Sequence, residues 1–80
     1  GKVVRAYDLS SSLNGVLKTF TLPSFYRVIS VHLSSFPNIL RPDTDYTTDA
    51  SVNSITFTAE IEASTSLNTG QTCVVIYSEV

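Results

Sequence analysis

The clearest pattern in the chain is a strict alternation of apolar and polar residues over residues 54–61, just after a turn-rich segment. Alternate side chains of a strand point to opposite faces of a sheet, so this pattern predicts a half-buried antiparallel strand. The predicted core stripe consists of Ile55, Phe57, Ala59 and Ile61. Weaker versions of the pattern recur along the chain, which indicates a small all-β protein.

The other predicted strands differ in their expected place in a sheet. They cover residues 3–7, 16–22, 26–33, 38–40, 46–48 and 72–77. The first is expected at a sheet edge, and the third, with apolar residues on both faces, at a central position. In the second strand Val16 is predicted to share a face with Phe20 and Leu22. In the third strand Ile29 is predicted to share a face with Val31 and Leu33.

Turn residues separate these strands. Asn14-Gly15 is a strong turn dipeptide, and Pro23 ends the second strand because it lacks a backbone donor. Pro42-Asp43 suits the two central positions of a type I turn. Residues 10–13 and 64–67 could each form a single helical turn.

Six or seven short strands with regular turns predict one domain over residues 1–80. The expected fold class is all-β, an antiparallel β-sandwich of Ig-like or jelly-roll-like type with little or no helix. Ser and Thr supply 22 of the 80 residues, whereas Ala, Glu, Gln, Lys and Met together supply 10. Residues that favour strands and turns therefore dominate the composition.

Size and charge limit the possible partners. A chain of this length buries only about 60–65 % of its unfolded surface, and its single Cys allows no intrachain disulfide, so oligomerisation is expected. A net charge of −2 with five scattered basic residues argues against nucleic acid. No apolar run approaches the roughly 18–20 residues of a membrane span, and no signal peptide is visible. The lone Cys73 favours a reducing compartment.

Catalytic chemistry is hard to find in the sequence. Cys73 and His32 could in principle form a thiol nucleophile and its base. Both fall inside predicted strands, where Cys73 is expected as a buried small hydrophobe and His32 as a solvent-facing or interface residue. Phosphate loops, paired catalytic carboxylates and Ser-His-Asp arrangements are not visible. The prediction is a protein that is not an enzyme and uses no cofactor.

Three carboxylates in one segment raise the possibility of a metal site. Asp43, Asp45 and Asp49 could supply oxygen ligands to Ca²⁺. The spacing lacks the Gly and the terminal Glu of an EF-hand loop, and Asp in tight turns ordinarily accepts hydrogen bonds from local N–H groups. Turn chemistry is the favoured interpretation, and no metal site is assigned.

Aromatic residues raise the possibility of a glycan site. A sugar-stacking platform would need several of them on one exposed face, whereas filling cores or interfaces is the commoner use. The candidates are Tyr7, Phe25, Tyr26, Tyr46 and Tyr77.

Three segments together resemble a known class of module. Residues 8–23 read DLSSSLNGVLKTFTLP, residues 40–47 read LRPDTDYT and residues 55–58 read ITFT. This combination resembles small β-sandwich modules of tailed-bacteriophage virions, in which such a hairpin leads into a D-Y-T and I-T-F-T strand pair. The likeness covers most of the chain and rests on structural motifs. It implies a capsid decoration piece or a part of a tail, fibre or baseplate protein, located in the virion after synthesis in the host cytoplasm.

The leading hypothesis is a non-enzymatic structural protein or domain of such a virion that binds neighbouring protein subunits, as a homo-oligomer or with other virion proteins. The alternatives are a module that binds carbohydrate or a host surface through residues 41–46, and an Ig-like domain of a larger bacterial surface protein. Contacts are expected at the first strand and at the tip that contains Phe25. The candidate partner-binding residues are Val3, Arg5, Tyr7, Phe25, Tyr26, Arg41 and Tyr46.

Overall fold

Six strands form two three-stranded antiparallel sheets in a computed structural model that describes residues 3–80. One sheet has the strand order β1-β6-β3 and the other has the order β2-β5-β4. The strands are β1 (Val4–Asp8), β2 (Thr19–Thr21), β3 (Arg27–Leu33), β4 (Tyr46–Asp49), β5 (Ser54–Phe57) and β6 (Cys73–Ser78). The β-rich fold is therefore confirmed, and so is the edge position of the first strand.

Helical structure is limited to two short segments of the described chain. They are a 3-10 turn at Ser10–Ser12 and a four-residue helix, α1, at Ala63–Ser66. Both lie where single helical turns are predicted. The expectation of little helix is confirmed for the residues that the structure describes.

Both sheets contribute their buried side chains to one hydrophobic cluster. The central strand β6 supplies Cys73, Val75 and Tyr77, and the central strand β5 supplies Ile55 and Phe57. The ring of Phe57 meets the ring of Phe20 edge to face, with 6.0 Å between centroids. The buried residues of both central strands thus occupy alternate positions, as a period of two predicts. Residues of the connecting segments, such as Leu13 and Leu67, complete the core.

The strand predicted over residues 54–61 ends at Phe57, so the second half of that prediction is wrong. The chain turns after Phe57, and the N–H of Ile61 donates to the carbonyl of Thr58 at 3.0 Å. Ala59 is exposed in this turn, whereas Ile61 returns to the core. Three of the four predicted core residues are therefore buried, but they do not all belong to one strand.

β3 lies at an edge of its sheet, so the predicted central position is wrong. A β-bulge shifts the register between Val28 and Ser30 and leaves Ile29 exposed. Val28, instead of Ile29, packs against the core on the same side as Val31 and Leu33. A bulge inserts one residue and so exchanges the two faces, which an alternation pattern cannot reveal.

The second strand is shorter than the predicted residues 16–22, and Val16 does not share the buried face. The side-chain oxygen of Asn14 accepts the N–H groups of Val16 and Leu17, each at 2.9 Å. These bonds hold both residues in the turn before Thr19–Thr21. Val16 is accordingly 76 % exposed.

Residues 38–40 do not form the predicted short strand. Leu40 is buried and its N–H donates to the carbonyl of Val31 at 3.2 Å, but Ile39 is exposed. One hydrogen bond does not make a ladder. The described residues therefore hold six strands, the lower of the two numbers expected.

The turn at Pro42-Asp43 exists, but the predicted type I is wrong. Asp43 has a φ of +63°, whereas the third position of a type I turn needs a negative φ. A positive φ at that position, after a proline, is typical of a type II turn. The turn is closed by the N–H of Thr44, which donates to the carbonyl of Arg41 at 3.3 Å.

The corrected end of β5 makes a prediction. Ala59→Lys should change the free energy of unfolding by less than about 1 kcal/mol, because the residue is exposed in a turn. Ile61→Ala should lower it by about 2–5 kcal/mol, because it opens a cavity in the core. Urea denaturation of both variants measures the difference. A severe loss of stability in Ala59→Lys would show that the strand continues and buries this position.

Candidate functional site

The edge strand β1 is the most exposed regular element of the fold. All five of its residues are exposed, and among the described residues it pairs with β6 alone. Arg5 and Tyr7 lie opposite Tyr77 and Val75, which are buried, so both occupy the inner face of the sheet. Tyr7 is nevertheless 38 % exposed. The inner side of β1 is therefore accessible as well as its outer side.

Two hydrogen bonds fix which backbone groups of β1 point away from β6. Leu9 N–H donates to the carbonyl of Cys73 at 2.8 Å, and Glu79 N–H donates to the carbonyl of Val3 at 2.9 Å. Backbone groups alternate sides along an antiparallel strand, so the odd-numbered residues bond β6 and the even-numbered ones face outward. The outward N–H and C=O groups, here named the open edge of β1, belong to Val4, Ala6 and Asp8. Such a row can accept an added strand.

Side chains at both ends hold β1 on β6. At its start, Arg5 Nε donates to Glu79 Oε2 at 2.6 Å, an exposed ion pair. At its end, Asp8 Oδ1 accepts the N–H of Ser10 at 2.8 Å, and Ser10 Oγ accepts the N–H of Cys73 at 3.0 Å. The bonds from Ser10 lower the pKa of Asp8. β1 is thus anchored on one side while its other side stays open.

A cleft of about 570 Å³ lies between the β3 side of one sheet and the β4 side of the other. Both strands are edges, so the cleft opens where neither sheet continues. Its walls bring together three of the candidate residues, Phe25, Tyr26 and Tyr46. The other edge of the first sheet carries Arg5 and Tyr7, which follow the exposed Val3. Arg41 lies at neither place, because it lines a smaller cleft with Asp45 and Glu60. The candidates therefore divide among three places.

Tyr46 contributes an unusual polar atom to this region. The residue is 2 % exposed, and its hydroxyl is buried with no hydrogen-bond partner among the described residues. Burial, together with the nearby carboxylates of Asp43 and Asp45, raises the pKa of Tyr46. An unpaired buried hydroxyl costs about 1–3 kcal/mol. The hydroxyl therefore offsets part of the stability that burial of the Tyr46 ring supplies.

The loop before β4 is held by its own polar groups. Asp45, which is buried, accepts the N–H of Arg41 on Oδ2 at 2.7 Å, and the exposed Arg41 guanidinium lies 3.5 Å from Oδ1. The backbone bond from Arg41 is the main cause that lowers the pKa of Asp45. Asp43 N–H donates to the carbonyl of Tyr46 at 2.8 Å. The Arg41 side chain is thus exposed on the surface, and the carboxylate of Asp45 partly neutralises its charge.

Two of the three candidate carboxylates, Asp45 and Asp49, accept hydrogen bonds from their own turns. Asp49 Oδ1 accepts the N–H of Ser51 at 3.0 Å and its hydroxyl at 2.6 Å, which lowers the pKa of Asp49. Asp45 is bonded to Arg41 as described. Within residues 3–80, no three His, Cys, Asp or Glu side chains are grouped so that they could hold a metal ion. The geometry favours the turn interpretation over the Ca²⁺ alternative.

Cys73 and His32 do not meet. Cys73 pairs with Leu33 and is completely buried, whereas His32 pairs with Val74 and is exposed on the opposite face of the sheet. Burial raises the pKa of the Cys73 thiol to about 12. The thiol is therefore protonated at neutral pH and has no imidazole beside it. The predicted burial of Cys73 is confirmed.

The five aromatic candidates do not form a shared platform. Phe25, Tyr46 and Tyr77 are buried. Tyr26 is 60 % exposed and adjoins β3, while Tyr7 lies on β1, at the other edge of the same sheet. The structure thus places two exposed rings at separate positions.

Sequence reasoning missed all three residues of the open edge, Val4, Ala6 and Asp8, and selected Val3, Arg5 and Tyr7, whose backbone groups turn toward β6. Ala6 is the clearest case. An alanine between two larger exposed residues carries no signal of its own. Its importance comes from the direction of its backbone groups, which depends on the register with β6. The register with β6 shows that the backbone groups of Ala6 face outward, and the sequence alone does not.

Comparisons of the chain with protein-family models, with curated proteins and with solved structures find no match. No helix in the described part of the chain has the length and apolarity needed to cross a membrane. The functional interpretation therefore rests on the sequence pattern and on the geometry above.

The lowered pKa of Asp45 predicts a pH dependence of stability. Because this pKa is lower in the folded chain than in the unfolded one, the carboxylate stabilises the fold above about pH 4. That contribution is lost as the pH falls through the folded value. Asp45→Asn should therefore be less stable at pH 7 and lose less stability between pH 7 and pH 3. Urea midpoints across this range, with Asp43→Asn as control, measure the effect; equal slopes in Asp45→Asn and the unmodified protein would contradict it.

The buried hydroxyl of Tyr46 predicts a stabilising substitution. Tyr46→Phe should raise the free energy of unfolding by about 1 kcal/mol, because it removes an unpaired polar atom and keeps the ring. Tyr7→Phe, at an exposed position, is the matched control and should change it by less than about 0.5 kcal/mol. Thermal or urea denaturation of both variants measures the change in the free energy of unfolding. A loss of stability in Tyr46→Phe would mean that the hydroxyl is hydrogen-bonded in solution.

Proposed function

We propose that this chain is a non-enzymatic structural module of a tailed-phage virion, which binds a neighbouring subunit through the open edge of β1. The class is supported by the sequence pattern of residues 8–23, 40–47 and 55–58. The mode of binding is supported by one observation above all. β1 is anchored to β6 at both ends while all five of its residues remain exposed.

The finer fold that we propose is a β-sandwich of Ig-like or jelly-roll-like type. Two three-stranded antiparallel sheets with one common hydrophobic cluster support this proposal. In a sandwich the inner faces supply the core and the loops gather at the two ends. Edges and loops are then the surfaces left for binding.

A module of this kind has a physical reason to bind a neighbour. It has 80 residues, and its single cysteine is buried and unpaired, so no disulfide reinforces it. At the start of β1, Val3 and Val4 are each more than half exposed. Covering these side chains would remove apolar surface from water while the open edge forms backbone hydrogen bonds. Assembly would thus supply buried area that a small chain lacks.

The remaining candidate residues fit this proposal to different degrees. Arg5 and Tyr7 flank the open edge and would contact an added strand directly. Tyr26 is exposed at the cleft and Arg41 is exposed in the loop before β4, so both lie outside the open edge. Phe25 and Tyr46 are buried, so they shape the cleft wall. The carbohydrate alternative has less support, because most of the aromatic rings that it needs are buried.

Binding to virion proteins tests the proposal. The chain should bind at least one capsid or tail protein encoded near its gene, as measured by surface plasmon resonance. Val4→Pro removes an outward N–H at the first residue of an edge strand, where proline is tolerated. It should weaken binding at least about tenfold, which corresponds to the loss of one or two hydrogen bonds and their contacts.

Thr48→Pro is the matched control. Thr58 N–H donates to the carbonyl of Asp45. The backbone groups of the odd-numbered residues of β4 therefore bond β5, and those of Thr48 face outward. β4 is an edge strand of the other sheet. This variant should bind as the unmodified chain does. Binding to none of the virion proteins, or equal binding by Val4→Pro, would overturn the proposal.

A further inference from the structure

We infer that the open edge of β1 pairs with β1 of a second copy of this chain, antiparallel and about a two-fold axis at Ala6. The inference rests on the proposed binding role of this edge: a second copy occupies the edge when no other virion protein does. The combined sheet would have the strand order β3-β6-β1-β1-β6-β3. A closed two-fold pair of this kind leaves β1 of neither copy open.

The backbone of β1 selects this register. In an antiparallel pair, residues directly opposite either exchange two hydrogen bonds or none, and these two kinds of pair alternate. Centring on Ala6 places Ala6 opposite Ala6, and Val4 opposite Asp8 of the other copy. All of these residues have outward N–H and C=O groups. The result is three bonded pairs and about six hydrogen bonds, whereas centring on Arg5 or Tyr7 gives about four.

The side chains select the same register. With Ala6 at the centre, Arg5 of each copy lies opposite Tyr7 of the other, on the inner face that the monomer leaves exposed. A guanidinium beside a tyrosine ring is favourable. Centring on Arg5 would instead place two Arg5 side chains directly opposite, each bonded to its own Glu79, and the contact with Tyr7 would be lost.

The other strand edges are less suited to pairing. β3 carries the bulge at Ile29, which interrupts the row of backbone groups. In β4 the carbonyl of Tyr46 already accepts the N–H of Asp43, and β2 has only three residues. Among the described residues, β1 is therefore the longest uninterrupted edge.

Sedimentation equilibrium of the whole chain over a concentration series tests the pairing. The unmodified protein should form dimers with a dissociation constant in the micromolar range, since one strand pair is a small interface. Ala6→Pro, which removes the central outward donor, should raise that constant at least about tenfold, and Thr48→Pro should change it less than about twofold. Circular dichroism confirms that each variant is folded.

Disulfide trapping tests the register, and it does so even if Ala6→Pro fails to fold. Arg5→Cys and Tyr7→Cys chains are mixed and oxidised mildly. In the proposed register these two positions are opposite in a pair without hydrogen bonds, with Cα atoms about 4.5 Å apart, close enough for a disulfide. The mixed disulfide should therefore exceed both self-disulfides several-fold. The buried Cys73, whose thiol pKa is about 12, should not react.

The outcomes separate this inference from the proposed function. A chain that stays monomeric at millimolar concentration, or that yields mainly self-disulfides, overturns the pairing at Ala6. If that monomer still binds a virion protein, and Val4→Pro abolishes the binding, the proposed function stands without the dimer. Virion-protein binding is measured at a chain concentration below the dissociation constant of the dimer, where the open edge of β1 is free. If the dimer forms at higher concentration with the mixed disulfide and the free edge still binds no virion protein, the pairing stands and the proposed function fails.

Discussion

The register of β6 is the constraint on which the rest of this structure depends. β6 bonds β1 on one side and β3 on the other, and its inner side chains Cys73, Val75 and Tyr77 lie in the core. Burial of these apolar side chains fixes which face of the strand turns inward, because a one-residue slip would expose them. The same register decides which backbone groups of β1 bond β6 and which face outward. The core and the proposed binding edge are therefore set by one interaction.

Local polar contacts shape the turns and loops of this chain. Asp8, Asp45 and Asp49 each accept a backbone N–H in their own turn, and Asn14 accepts two. These bonds end strands and shape loops without adding to the core. The core is filled by the inner faces of the strands together with residues of the connecting segments such as Leu13, Ile61 and Leu67, and the edge strand β1 keeps surface for other contacts. This division explains how so small a domain can hold a fold and still present an open strand.

The sequence predicts the parts of the fold that depend on local pattern. Alternation predicts that Ile55 and Phe57 lie in the core, and the two short helical segments lie where single helical turns are predicted. It does not predict what depends on distant contacts. The bulge at Ile29 exchanges the faces of β3, and the turn after Thr58 ends β5, although both segments keep a strand-like pattern. Strand order is also hidden, since the last strand of the chain lies at the centre of its sheet.

In the candidate site, too, the sequence predicts what depends on local pattern and does not predict what depends on distant contacts. Exposure of Arg5 and Tyr7 could be expected from an edge strand, but the outward direction of Ala6 depends on the pairing with β6. The sequence predicts Phe25 and Tyr46 as surface contacts, yet both are buried, because aromatic residues near a turn can serve the core equally well.

Amide hydrogen exchange of the dilute protein, resolved by NMR for each residue of β1, tests the central claim most directly. If β6 fixes the direction of these groups, the amides of Arg5 and Tyr7 should exchange slowly and those of Val4, Ala6 and Asp8 quickly. Equal protection along the strand, or protection of the even-numbered amides alone, would contradict the account.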